Sequence, residues 1–122
     1  MNVTGEHPVD GTDYDLRGGR RVGDLQLDDG FGGVRHDGGR GEHSLTAPDG
    51  RSVTLWVDDS FGFVQAFTHR SFATLPEGGV AVAVEPMTAP ADALNSGQGV
   101  RWLSPGETFK TRWGISPRLT TD

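Results

Sequence analysis

The chain has no cysteine, which excludes a disulfide scaffold, a thiolate metal site and a cysteine nucleophile together. It has no apolar run approaching the length of a membrane span, and its beginning lacks the basic and apolar regions of a secretion signal. A soluble, cytoplasmic protein with no membrane partner is expected. The Asn2-Val3-Thr4 triplet fits a glycosylation acceptor, but that pattern has meaning only in a secreted chain. Basic residues are outnumbered, 11 against 17 acidic, for a net charge of −6. They are also scattered, so nucleic acid is a poor partner. No stretch shows an amphipathic helical period and there is no internal repeat. Only 34% of the 122 residues are hydrophobic, enough for one domain with one small core.

Turn formers are plentiful: 19 glycines and 7 prolines divide the chain into short stretches that alternate apolar and polar residues. An all-β, antiparallel architecture is expected. Residues 43–58 are the clearest hairpin, because Leu45 leads into Ala47-Pro48-Asp49-Gly50-Arg51, a turn sequence, and Val53, Leu55 and Val57 return on one face. Thr54 and Trp56 point the other way. Trp56 offers a face that suits the apolar side of a pyranose, and packing within or between sheets explains it equally well. Residues 61–68 alternate again, with Phe61, Phe63, Gln65 and Phe67 on one face, where a glutamine must find a polar partner. Phe109, Thr111 and Trp113 alternate with Lys110 and Arg112 in a last strand, and residues 116–122 form a polar tail. Residues 1–17 are an extended lead-in broken by turns.

The stretch from Val80 to Asn95 organises the rest. Val80, Val82 and Val84 alternate with Ala81 and Ala83, so by parity Glu85 projects on the alanine face, where small neighbours leave room for a ligand and half-bury the carboxylate. Pro86 removes a backbone donor, and the regular ladder is expected to stop there. Pro90, Asp92 and Asn95 then favour a loop. The glycine-rich segment 32–41 has neither spacing of a phosphate cradle and reads as an exposed hairpin loop. His36, Asp37 and His43 lack the spacing of a metal set, so no metal and no other cofactor are expected. Asp28-Asp29-Gly30 is, on its own, an ordinary turn signal.

Several of these segments together look like one family. Thr4-Gly5-Glu6 with Pro8-Val9-Asp10-Gly11-Thr12-Asp13-Tyr14-Asp15-Leu16-Arg17, then Asp28-Asp29-Gly30-Phe31, Val64-Gln65-Ala66-Phe67-Thr68, Glu85-Pro86, Pro90-Ala91-Asp92-Ala93-Leu94-Asn95 and Leu103-Ser104-Pro105-Gly106-Glu107-Thr108-Phe109 resemble, in order, the closing section of the aldose 1-epimerases, or galactose mutarotases. The resemblance implies that the chain is a single partial domain, residues 1–122, forming the C-terminal part of a large antiparallel β-sandwich. It also implies an isomerase that interconverts the anomers of a free aldohexose. Glu85 stands where the family has its general base, and Asp28 and Gln65 where it holds sugar hydroxyls. Asp29 replaces the histidine usual in the family's short Asp-His-x-Phe element.

Mutarotation needs two groups at once. A base takes the proton of the anomeric hydroxyl while an acid protonates the ring oxygen, and the opened aldehyde then rotates and recloses. The family's acid histidine belongs to its N-terminal part, and none of His7, His36, His43 or His69 lies in a matching motif. Self-association or a complementing N-terminal half is therefore expected as partner. Two readings from other classes stand beside the isomerase: a non-catalytic carbohydrate-binding β module, and a β-rich interaction domain in which Glu85, Asp28 and Gln65 are ordinary strand and turn residues.

Overall fold

The computed structural model describes residues 5–119; the Asn2-Val3-Thr4 triplet and residues 120–122 of the polar tail lie outside them. Among the described residues the strands are β1 (Asp28–Gly32), β2 (Arg40–Thr46), β3 (Ser52–Asp58), β4 (Phe63–His69), β5 (Ala81–Met87) and β6 (Trp113–Arg118), with one 3₁₀ turn (Val22–Asp24) and one α-helical turn, α1 (Ala93–Ser96). They form two antiparallel three-stranded sheets, β1-β4-β5 and β2-β3-β6, the arrangement of a small β-sandwich. The all-β, antiparallel expectation holds.

The hairpin forms where the turn residues sit. Arg40–Thr46 pairs with Ser52–Asp58 in unbroken register. Asp49 accepts hydrogen bonds from the Arg51 backbone N–H at 3.1 Å and from its Nε at 2.8 Å. The backbone bond leads in holding the Asp49 carboxyl below its ordinary pKa. Gly50 takes φ +86°, which a side chain would resist.

The β1-β4-β5 sheet buries the face opposite to the one its sequence suggests. Val64 and Ala66 of β4 are buried, at 7% exposure each, whereas Phe63 and Phe67 are only half-buried. Leu25 and Leu27, just before β1, pack on Ala66, and Leu16 of the lead-in and Phe31 of β1 pack around them. Tyr14 meets Phe31 with ring centroids 6.4 Å apart. Leu27 extends the ladder by exchanging bonds with Thr68, N–H to Oγ1 at 2.9 Å and Thr68 N–H to Leu27 O at 2.9 Å. The lead-in is as rich in turns as expected and also roofs this core. Its Arg17 binds Asp10 and Asp15, and that ion pair holds Asp15 at a pKa of about 2.

The β2-β3-β6 sheet has one apolar face: His43 and Leu45 on β2, Val53, Leu55 and Val57 on β3, Trp113, Ile115 and Pro117 on β6, aligned by register. Val57 is fully covered, at 1% exposure, beside Val34 and His36, whose side chains crowd Gly41. The cover ends there. Trp113 and Ile115 are 55% and 60% exposed, and Leu45 and Val53 are also exposed.

Three strand boundaries differ from the sequence reading. The last strand is Trp113–Arg118, so Ser116, Pro117 and Arg118 of the expected polar tail are laddered to Val53 and its neighbours, and Phe109 to Arg112 precede the strand. Phe109 instead packs under the Arg101 guanidinium, 4.4 Å from the ring centroid. The Asp28-Asp29-Gly30 segment opens β1 and is not a turn. The β5 ladder does not stop at Glu85; it continues through Pro86, paired with Val64, to Met87. Pro86 is tolerated because β5 is an edge strand, where the missing N–H need not face a neighbour. Pro117 sits on the edge strand β6 in the same way.

His43 gives the fold a pH dependence. Its Nε2 is buried without a hydrogen-bond partner among the described residues. Burial first, and the nearby His36 second, push its pKa below 6.5. The unfolded chain therefore binds more protons than the folded one below about pH 6.5, and stability falls as pH drops through that window. Denaturant midpoints should decline from pH 7 to pH 5, and His43→Leu should flatten that decline. Equal pH slopes in the two proteins would refute the assignment.

Candidate functional site

Gln65 lies on the central strand of the β1-β4-β5 sheet, and the register fixes what surrounds it. Its cross-strand neighbours are Gly30 on β1 and Glu85 on β5. The next row along the same face is Asp28, Phe67 and Ala83, and the row on the other side is Gly32, Phe63 and Met87. All three residues picked from the sequence, Asp28, Gln65 and Glu85, therefore share one face. They come from three separate strands. The parity argument for Glu85 holds, since it shares its face with Ala81 and Ala83.

The amide of Gln65 bridges towards β1: its Nε2 donates to Asp28 Oδ1 at 3.1 Å. This finds the partner that a glutamine between phenylalanines requires. The bridge depends on Gly30, because a Cβ there would stand 3.2 Å from Gln65 Oε1. Phe63 leans the same way, with ring carbons 3.3 and 3.5 Å from the Cβ position of Gly32. Two β4 side chains thus fill the space over the glycines of β1, leaning away from their other cross-strand neighbours, Met87 and Glu85 on β5. Asp29 projects from the opposite face, paired with Ala66, and its Oδ2 accepts the Asp28 N–H at 3.0 Å. The two neighbouring acids are not interchangeable. Gly30→Ala should leave the fold intact and displace the Gln65 amide by a few tenths of an ångström. The Asp28–Gln65 bond should then be lost, which the Gln65 side-chain NH₂ shifts in an NMR spectrum would report; unchanged shifts would show that Gly30 is not needed.

Glu85 is exposed, contrary to the expected half-burial, because β5 has no strand beyond it and the neighbouring alanines are too small to shield it. The loop after β5 does contain the expected irregular backbone. Asp92 takes φ +62° ahead of α1, and Gln98 ties the loop to the lead-in by donating to Glu6 Oε1 at 2.8 Å.

The face is open at Asp28 and Glu85, both of them exposed. The two best-formed hollows, each of about 300 Å³, lie elsewhere, one lined by Arg35, Asp37, Arg40 and Glu42 and the other by Asp13, Tyr14, Arg20 and residues 24–27. An open sheet face touches one side of a sugar only. Among the described residues no three histidine, aspartate or glutamate side chains converge as a metal site. Trp56 is not available for stacking: Arg40 lies over its ring at 4.4 Å, and Gly114 on β6 underlies the indole so closely that a Cβ would come within 2.7 Å of three ring atoms.

Two residues on the face escaped the sequence reading. His69 belongs to β4 and shares the face of Gln65 and Phe67, with its ring 5.7 Å from that of Phe67. The alternation of Phe63, Gln65 and Phe67 extends to it by parity, a signal hidden by the polar run that follows. Gly30 was read as part of a turn. His69 is four residues along the strand from Gln65, roughly 14 Å at the rise of an extended chain, too far to serve the same sugar carbon as Glu85.

No protein-family model, no curated protein and no solved structure matched the chain. No helix among the described residues is long and apolar enough to cross a membrane.

Proposed function

We propose that this chain binds a free aldose on the face formed by Asp28, Gln65 and Glu85 and acts on it as an aldose 1-epimerase. Glu85 is the general base on the anomeric hydroxyl, and Asp28 and Gln65 hold neighbouring hydroxyls. The observation that carries the reading is the convergence of three residues, chosen from separate motifs, on one exposed face with Gln65 already bonded to Asp28. A carboxylate open to solvent can take a proton and return it, and an amide pinned by one neighbour keeps its oxygen free to accept from a sugar hydroxyl. The ring oxygen needs a proton donor that this face does not offer within reach of Glu85. A second chain, either another copy or a histidine-bearing half, supplies it in the full reaction. The reading includes a cytoplasmic location, where free hexoses are met.

The open face and the distance of His69 favour one alternative, a carbohydrate-binding β module without turnover. Polarimetry of freshly dissolved α-D-glucose and α-D-galactose separates the two. Acceleration over buffer supports the epimerase. Saturable sugar binding with no acceleration supports the module, and folded protein that neither binds nor accelerates would reject both.

A further inference from the structure

The β2-β3-β6 sheet presents an apolar surface that the rest of the described chain leaves largely uncovered. The substantial contacts between strands all lie within one sheet or the other, so the β1-β4-β5 sheet gives this face no full second layer. Only the Val57 end is closed, beside Val34 and His36. Outward from it Trp113, Ile115, Val53, Leu45 and Pro117 are exposed on adjoining rows of the register. Leu119 follows β6 with the same parity and is exposed as well. A sheet with one apolar face is stable when a second apolar layer packs on it, and here that layer has to come from another molecule.

Charge, area and shape narrow what that molecule is. The acidic and basic side chains of these three strands, Arg40, Glu42, Asp58 and Arg118, all share the face of Trp56. The apolar face carries none, and its His43 is kept neutral at pH 7 by burial. A charged partner would find no opposite charge there to hold it. Two chains of net charge −6 repel over most of their surfaces, and this face lets them meet without setting like charges against each other. Its uncovered side chains expose about 500 Å² of hydrocarbon per copy. In a contact about two thirds apolar, that corresponds to roughly 1,500 Å² buried between two copies, the size of a stable specific interface. Twisted sheets pack face to face about 10 Å apart, and a second copy brings a sheet of the same twist.

We infer that two copies of this chain pair through these faces about a two-fold axis, Trp113, Ile115, Val53 and Leu45 of each forming the centre of the contact. The face belongs to the sheet without Asp28, Gln65 and Glu85, so the inference stands apart from the sugar-binding reading. Sedimentation equilibrium of the full chain, from about 1 to about 200 µM, tests it. The expected result is a dimer that forms within this range and stops at two. Ile115→Lys should raise its dissociation constant roughly thirtyfold or more, the effect of a change at the centre of an interface, and Ile115→Leu should preserve it. Ile115→Thr keeps a β-branched side chain and should also weaken the dimer, so it replaces the lysine variant if circular dichroism shows that one to be unfolded. A chain that stays monomeric throughout the range would overturn the inference, as would a dimer that neither Ile115→Lys nor Ile115→Thr weakens. A monomer whose tryptophan emission shifts to the blue on phosphatidylcholine vesicles would overturn it in favour of a lipid surface.

Discussion

Glu85→Gln should abolish whatever acceleration of mutarotation the protein provides while leaving it folded. A positioned general base contributes about a hundred- to ten-thousandfold, and an amide of the same shape can neither take the anomeric proton nor return it. The wild-type acceleration itself should lie at the low end of that range when this chain acts alone, because the acid is not within reach on the same face. Stability should change by no more than about 0.5 kcal/mol, as for other exposed positions, since Glu85 lies on an edge strand and its side chain is exposed, with no hydrogen bond or ion pair among the described residues. The measurement is polarimetry of α-D-glucose with both proteins at matched concentration, beside a denaturant titration of each. A variant as fast as the wild type would remove Glu85 from the chemistry. Asp28→Asn is the companion change: it keeps an acceptor for Gln65, so it should weaken sugar binding and spare the fold.

Gly114→Ala should be the most damaging small substitution in the chain. Gly114 lies directly opposite Trp56 in the β3–β6 ladder, and an added methyl would stand 2.7 Å from indole atoms Cε2, Cζ2 and Nε1. Real carbon contacts do not come that close, so the indole must swing out from β6. Overpacking of this kind costs about 1–3 kcal/mol. The swing also breaks the stack of Arg40 on Trp56, worth about 0.5–1 kcal/mol at an exposed site. The denaturant midpoint should fall with the slope of the transition unchanged. An unaltered midpoint would mean that the indole is free to leave β6 at no cost. Because Trp56 is on the sheet that does not contain Asp28, Gln65 and Glu85, sugar binding by the folded fraction should survive, which separates this change from the one at Glu85.

Much of this architecture could be read from residue order, and each miss has a physical cause. The β2–β3 hairpin was legible because Pro48-Asp49-Gly50 dictates a turn whatever surrounds it. The facing of Glu85 was legible because parity on a strand admits only two answers. β1 was obscured because Asp-Asp-Gly forms a turn when nothing pairs with it, whereas here β4 supplies a full ladder. The buried side of β4 was obscured because Phe63 and Phe67 are more apolar than Val64 and Ala66. Burial was decided by where Leu25, Leu27 and Leu16 could pack, a tertiary fact. The last strand was displaced because residues 109–113 alternate as well as residues 113–118 do, and only the partner Val53 and its neighbours choose between them. The grouping of Asp28, Gln65 and Glu85 followed from a resemblance; their register, with Gly30 clearing the path of the Gln65 amide, could come only from the pairing of three strands distant in sequence.

The prolines at Pro86 and Pro117 and the uncovered apolar face of β2-β3-β6 bear together on how this molecule meets others. A proline on each of two edge strands withholds a donor from any strand arriving alongside, so lengthening either sheet by backbone pairing is disfavoured there. The face presenting Leu45, Val53, Trp113 and Ile115 has no such guard. Association through it would draw its free energy from water released off hydrocarbon, and would weaken on cooling and strengthen with sulfate. Its heat capacity change would be negative, the thermal mark of a contact made by side chains rather than by backbone.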